Sequence, residues 1–462
     1  MHSLTLGDIA RITGGELHGD ADLIVTSIST DTREIESGAL FGAIVGERSD
    51  AHNFVADAFT SGAVAVLCSR EIDGPCVVVG NRTHVDPVIN AIGKIAEYER
   101  SLLSGVNVIG VTGSSGKTST KDIIGQVLGS STKTFAPAGS PNNELGLPMT
   151  ILNMPAMTKN LVLEMGMRGS GHIQYLCDIA EPTIGVVTNV GHAHVGEVGS
   201  IDDIANAKAE LVESLPANGI AILNADDPRV FGMKGRTQGH VVTYGINSDA
   251  HIRATDIEIH QDGTSTFTVI VAGKEHLVTL PLIGAHNVSN ALAAIAVGLA
   301  TGMTLTECAE ALANVELKSK WRMERHHLAR DIVLINDAYN ANPDSMKAAV
   351  DALAALTLAN NTWLVIAGMH ELGSESDEMH RAVGHYAVEQ GIDHVVVIGQ
   401  TAKPAMDTAG ERAVWVPDLN EASDYIEKNL ADGDAILIKA SRSEGLEVLA
   451  QELEKRIGRT SA

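Results

Sequence analysis

The chain has 462 residues, which at about 150 residues per domain suggests roughly three domains. Apolar residues (44%) suffice for large cores, but aromatics are only 3%, so Ala, Val, Ile and Leu must fill them. Thirty-three basic against 58 acidic residues leave a formal net charge of -25. That excludes bulk attraction to nucleic acid or anionic membranes, and an anionic substrate has to be captured locally, by helix N-termini, single cations or metal ions.

Cys68, Cys76, Cys177 and Cys308 are scattered and form neither a CxxC pair nor a Cys/His metal spacing, which reads as reduced structural thiols in a cytosol. Met1 to Gly7 shows no basic segment leading into an apolar one, so no signal peptide is expected. No apolar run reaches bilayer-spanning length, and a cytoplasmic protein without membrane insertion is expected.

Taken in chain order, residues 1–103 read as a first unit, with strands at Ala63–Leu67 and Val77–Val79 and a helix from Pro87 to Tyr98. A second unit, 104–319, opens with a buried strand over Val106–Thr112 and a Gly/Ser loop; Ile123, Ile124, Val127 and Leu128 follow at helical spacing. Strands at Leu161–Leu163, Ile184–Val190 and Ile220–Leu223 alternate with helical segments, as in a largely parallel sheet. From His240 to Leu282, alternating β-branched residues around Asp262-Gly263 predict a small antiparallel meander, and an Ala-rich helix follows over Asn287–Ala300. The third unit, 320–462, alternates helices with strands at Ile332–Ile335, Trp363–Ala367, His394–Ile398, Ala413–Val416 and Ala435–Ile438. It is Rossmann-like, yet no GxGxxG follows any strand, so a dinucleotide site is not expected. The expected fold class is α/β in three domains: an N-terminal α/β domain, a central P-loop ATPase-like domain with a mainly parallel sheet plus a small antiparallel one, and a C-terminal Rossmann-like domain.

The strongest local signal is Val111-Thr112-Gly113-Ser114-Ser115-Gly116-Lys117-Thr118-Ser119, set between a strand and a helix as a phosphate loop requires. Its glycines let backbone N–H groups approach phosphate oxygens, and the helix N-terminus adds partial positive charge. Lys117 can reach β- and γ-phosphates, and the Thr118 hydroxyl can bind Mg²⁺. The loop is a short variant, because Val111 stands where the common form has glycine.

Glu164 closes the Leu161–Leu163 strand at its carboxyl end, where open α/β sheets bind ligands, so it is placed to hold Mg²⁺; a capping or surface glutamate is the plain alternative. His194, in Gly191-His192-Ala193-His194, is either a metal ligand or an orienting group, or else polar loop surface. Lys208 says more. On the helix expected over Ile201–Leu215 it falls in the apolar stripe of Ile204, Leu211 and Val212. Such a lysine either snorkels to water or is buried as a neutral amine, which can react with CO₂ to give an anionic, Mg²⁺-binding carbamate.

Other segments complete a pattern. The first unit has Thr30-Asp31-Thr32-Arg33, Gly38 to Phe41, and Gly46 to His52; the second has Ala138 to Gly146 and Gly284 to Ala291; the third has Asn336 to Met346, Glu371-Leu372-Gly373 and Lys439 to Ser443. Together with the phosphate loop these resemble the Mur ligase family over essentially the whole chain, and within it the members that add D-alanyl-D-alanine.

The resemblance implies a UDP-binding first domain, with Thr30, Asp31, Arg33, Arg48 and His52 as substrate contacts. It implies that Asn142, Asn143, Glu144 and Arg442 bind substrate, and that Gly113, Ser114, Ser115, Gly116, Lys117, Thr118, Ser119, Asn287, Asn290, Arg322, Asp337 and Asn340 bind ATP. Thr118 and Glu164 would hold one Mg²⁺, and His194 with carbamylated Lys208 a second. Lys117, Lys208, His194, Arg322 and Asp337 would serve catalysis.

The reaction implied is ATP-dependent joining of D-Ala-D-Ala to UDP-MurNAc-tripeptide through an acyl phosphate, by a monomer with small-molecule substrates. Alternatives sharing the central fold are another Mur-type or a folylpolyglutamate synthase-like amide ligase; one of another class is a non-catalytic nucleotide switch. The TDTR and GERSDAH segments speak against the folylpolyglutamate synthase-like ligase, and the separate substrate loop and the Asn340-Ala341-Asn342-Pro343 segment against the switch. The chain departs from the family pattern at Gly196, at Trp321, where glycine usually precedes the arginine, and at Gly368, where an acidic residue is usual.

Overall fold

Residues 1–47, 49–80, 85–191 and 199–459 are described by a computed structural model. Short β-branched runs separated by helices become three main sheets, one per unit. The first has five strands in the order Glu16–His18, Cys76–Val78, Ala63–Cys68, Ala39–Gly42, Ser27–Ser29; only Glu16–His18 is antiparallel to its neighbour. The helix Pro87–Ser101 starts on proline with Asp86 capping its first N–H groups, and it buries Val88, Ile92 and Ile95. Those side chains share one continuous core with Leu147, Ile173 and Leu176 of the second unit.

The central sheet has nine strands. Its spatial order is Lys274–Leu280, Ser265–Val271, Ile252–Ile259, His240–Gly245, Ile220–Asn224, Ile184–Val187, Asn107–Thr112, Asn160–Glu164, Thr134–Phe135. The antiparallel part begins later than the alternation suggests. His240–Gly245 pairs parallel with both neighbours, and only Ile252–Leu280 forms the meander, which continues the edge of the parallel sheet. Alternation marks a half-exposed strand but carries no information about the direction of its partner. The helix His286–Ala300 lies against the phosphate-loop helix Lys117–Gly129 with most of its side chains buried, as its Ala-rich composition permits.

The third sheet runs Glu324–His327, Val333–Asn336, Ala435–Lys439, Thr362–Ile366, His394–Ile398, Ala413–Val416, parallel except for the first strand. Leu364, Ile366 and Leu437 face one core with the helix Pro343–Ala354; Trp363, Val365, Ile436 and Ile438 face the other with Leu446–Ile457. The helices after the adjacent strands Val333–Asn336 and Ala435–Lys439 therefore lie on opposite faces, which opens a crevice at their carboxyl ends. Among the described residues no helix is long and apolar enough to cross a membrane.

Candidate active site

The carboxyl end of Asn107–Thr112 leads into the phosphate loop, and that of the parallel neighbour Asn160–Glu164 brings in the carboxylate. Gly116 begins the helix with φ +76°, and an added Cβ would sit 3.0 Å from Asn290 Oδ1, so this position suits glycine alone. On the other side the loop rests on Asn189, whose Oδ1 accepts from the Ser115 N–H at 2.9 Å and whose Nδ2 donates to Ser115 Oγ at 3.1 Å. Thr188 Oγ1 donates to the Ser115 carbonyl at 2.8 Å. Thr188 and Asn189 follow the strand Ile184–Val187, at the same edge of the sheet.

Glu164 is buried and both its oxygens are engaged. Oε2 accepts from Thr118 Oγ1 at 2.8 Å; Oε1 accepts from Ser140 Oγ at 2.6 Å and Asn142 Nδ2 at 2.7 Å. Burial alone would raise its pKa, but Lys117, Arg322 and these donors outweigh it and hold the carboxyl below its ordinary value. Burial pushes Lys117 down, with Glu164 working against the shift. Lys117 Nζ donates to the Gly113 carbonyl at 2.8 Å.

The third unit closes over this loop. Arg322 Nη2 donates to Thr118 Oγ1 at 2.9 Å, and the guanidinium lies 4.0 Å from the centre of the Tyr339 ring. Arg322 Nε is buried without a hydrogen-bond partner. Asp337 accepts from the Met323 N–H through Oδ1 at 3.1 Å and from Lys439 Nζ through Oδ2 at 2.6 Å. Burial lowers the Lys439 pKa, with Asp337 opposing. Between the units lies a cavity of about 300 Å³, lined by Ser114 to Ser119, Asn142, Glu164, Asn189, His286, Asn290, Arg322, Asp337, Asn340 and Lys439. Its lining joins Lys117, Arg322, Lys439 and the loop with small neutral residues such as Ser289, Ser345, Ala348 and Ala349. This lining suits a nucleotide, with its phosphates at the loop. The orphaned Arg322 Nε supplies a donor that a phosphate oxygen would satisfy. The adjoining Thr118 and Glu164 oxygens suit Mg²⁺, which keeps several of its waters and needs few protein ligands.

Lys208 lies in the helix Ile201–Glu213 at 1% exposure, so it does not snorkel. Burial, and then the like charge of Lys117, push its amine well below the ordinary lysine range. Arg48 and His194 lie outside the described residues, as does Gly196.

Some expected contacts are brought to the cavity and others are not. Asn287 is fully buried and donates to the Ile283 carbonyl at 2.9 Å, so it bonds its own chain while His286 and Ser289 line the cavity. Asn143 caps Gly146, and Glu144 lies 3.3 Å from His172, both outside the cavity. In the first unit Asp31 pairs with Arg33, while buried His52 uses one ring nitrogen toward Asp50 at 2.7 Å and accepts the Ser69 N–H at the other. Arg442 stands over the Trp321 ring at 4.2 Å and pairs with Glu447. At Gly368 an added Cβ would lie 2.5 Å from Glu444 Oε1, which bonds His370 Nε2 at 2.6 Å; the glycine makes room for a carboxylate from a neighbouring loop.

Sequence reasoning passed over Thr188, Asn189 and Lys121. A polar pair ending the strand beside the phosphate loop was the available signal for the first two. Lys121, one helical turn after Lys117, is fully buried; it donates to the Pro137 and Gly139 carbonyls and pairs with Asp122 at 2.9 Å, suspending the 137–142 loop from the phosphate-loop helix.

Two family profiles match the chain: the Mur ligase middle domain over residues 111–298, and the Mur ligase glutamate ligase domain over residues 321–442. The chain is 36% identical to the UDP-N-acetylmuramoyl-tripeptide–D-alanyl-D-alanine ligase of Mycobacterium tuberculosis, over 98% of each. Its fold is similar to that of MurF from Acinetobacter baumannii, with a TM-score of 0.90 and 31% identity over 98% of this chain and 99% of the other. It is also similar to MurF ligase from Thermotoga maritima, solved in complex with ADP, with a TM-score of 0.82 and 27% identity over 94% and 98% of the two chains.

Proposed function

Because the chain belongs to the Mur ligase family, we propose that it joins D-alanyl-D-alanine to UDP-N-acetylmuramoyl-tripeptide at the expense of ATP, a step of peptidoglycan precursor synthesis. The observation that carries this reading is the closure of Arg322, from the third unit, onto Thr118 of the phosphate loop around a cavity of nucleotide size.

A carboxylate does not accept an amine directly, because its oxygen is a poor leaving group. One carboxylate oxygen of the tripeptide attacks the γ-phosphorus of ATP, the bond to the ADP oxygen breaks, and an acyl phosphate results. The amine of the dipeptide then attacks the acyl carbon; the tetrahedral intermediate expels phosphate, and the amine loses a proton. The loop N–H groups and Lys117 hold the transferring phosphoryl group, and Arg322 offers its free Nε–H from the opposite side. Thr118 and Glu164 would hold Mg²⁺, which neutralises phosphate charge when bound. Asn142, tied to Glu164, would set the 137–142 loop beside the incoming tripeptide carboxylate. With the third unit over the cavity, water is kept from the acyl phosphate.

Lys208 is proposed as a carbamate. A cation there is opposed both by burial and by Lys117; an anion would be attracted by Lys117 and by Mg²⁺.

Phosphate release tests the reading, measured with UDP-tripeptides ending in lysine or in diaminopimelate, with and without D-alanyl-D-alanine. Release that requires both the tripeptide and the dipeptide is expected. Release indifferent to the dipeptide would overturn the ligase assignment.

A further inference from the structure

The turn that carries Arg322 is built against backbone preference. Trp321 and Met323 on either side hold φ +60° and +49°, a region open to glycine but occupied by bulky residues only where their surroundings force it. Backbone contacts pin the turn: the Trp321 carbonyl accepts from the Tyr339 N–H at 3.2 Å, and the Trp321 N–H donates to Glu324 Oε2 at 3.1 Å. A glycine at 321 would keep both contacts without the unfavourable φ. What the indole adds is a surface. The Arg442 guanidinium lies 4.2 Å above it, and Glu447 holds that guanidinium from the helix Leu446–Ile457. Two loops at the carboxyl edge of the third sheet thus grip one turn, the first through Asp337 and Tyr339, the second through Arg442.

We infer that Trp321 is a positioning residue: stacked beneath Arg442, it fixes the left-handed turn that presents Arg322 to Thr118 and to the nucleotide phosphates. The inference rests on the ligase reading above. Without the indole the turn is free to relax, and Arg322, joined to the phosphate loop through a single hydrogen bond to Thr118, loses its aim.

The test uses the full-length enzyme with its own substrates. ATP, UDP-tripeptide and dipeptide are varied in turn, and thermal unfolding is recorded, for Trp321→Gly, Trp321→Phe, Arg442→Ala and the double variant Trp321→Gly/Arg442→Ala. Trp321→Gly and Arg442→Ala should each raise the KM for ATP about fivefold or more, the scale of one cation–π contact, and Trp321→Gly should leave that for the UDP-tripeptide within about twofold. The Tm of Trp321→Gly should stay level or rise, because glycine relaxes φ. Trp321→Phe, which keeps an aromatic face, should restore most of the ATP affinity. The double variant should be no worse than either single one, because both remove the same contact. A wild-type KM for ATP in Trp321→Gly, a uniform loss in all constants with a lowered Tm, or additive effects in the double variant would overturn the inference. Wild-type enzyme whose phosphate release ignores the dipeptide would overturn the ligase reading instead, so the two failures are distinguishable.

Discussion

Lys117, Lys208 and Glu164 illustrate three ways of holding charge in a buried site. Lys117 has the opposite charge of Glu164 near it, and in the proposed reaction its charge would be needed where phosphate charge develops. Lys117→Ala should fold and lose turnover by a factor of about 10²–10³ or more; turnover near wild type would sink the phosphate-loop assignment. Lys208 has a like charge near it, and Lys208→Ala should be folded but nearly inactive. Acetate or formate entering the vacated space should restore part of the activity if the native group is a carbamate, while Lys117→Ala should not respond. Rescue by small amines alone would overturn the carbamate. Glu164 gives a pH prediction. Its folded pKa lies below the ordinary glutamate value of about 4.3, so on acidification the unfolded chain takes up the proton first. The stabilisation is therefore complete above that ordinary value and is lost as pH falls through the folded one. Urea unfolding of wild type and Glu164→Gln should show a stability difference that is constant near neutrality and changes below about pH 4.3. A difference independent of pH down to acid unfolding would contradict the assignment.

The phosphate-loop helix Lys117–Gly129 works in two directions as an element. Its N-terminus faces the cavity, and one turn later Lys121 suspends the loop that presents Ser140 and Asn142 to Glu164. Asp122 on the same helix accepts the Ser319 N–H at 2.9 Å, just before the chain enters the third unit. Lys121→Met removes a buried charge from two carbonyls and from Asp122, and should destabilise by roughly 2–4 kcal/mol in urea titration. The KM for the UDP-tripeptide should rise more than that for ATP, because the loop moves and the phosphate-binding N–H groups do not. Equal changes in both would show that Lys121 merely supports the fold.

The whole molecule binds its units together unequally. The first unit shares a core with the second through the helix Pro87–Ser101, and the Met1 amino group donates to the Leu152 carbonyl at 2.7 Å. A chain cut before Val106 should therefore expose Ile173, Leu147 and Leu176 and be recovered insoluble; a soluble truncated chain with cooperative unfolding would contradict the shared core. The third unit packs against the second through a smaller apolar contact that includes Ile283 and meets the phosphate loop through polar contacts around a cavity, an arrangement that can open for substrates. Burial also protects the thiols. All four cysteines are buried, and burial pushes Cys68, Cys177 and Cys308 up to about 12. Iodoacetamide should label the native protein slowly and the urea-unfolded protein fully, as read by mass spectrometry.

Local chemistry made much of this readable before the fold was known. A glycine-rich loop between a strand and a helix binds phosphate because of its own backbone, so Gly116, Lys117 and Thr118 could be placed from their neighbours alone. The period of apolar residues likewise located the parallel strands of the second and third units and put Lys208 on a buried face, because burial pattern and element period are both local. Strand direction is not local, which is why His240–Gly245 read as antiparallel and is parallel. Nor does sequence reveal which polar groups pair across distance: Asn189 under the loop, Arg322 on Thr118, His52 turned inward to Asp50 and Ser69, Asn287 bonded to Ile283. Trp321 shows the same division within a single residue. The family resemblance marks it as a tryptophan where glycine is usual, but only the tertiary structure brings Arg442 over its ring, because a left-handed tryptophan holds its place through contacts made by a distant part of the chain.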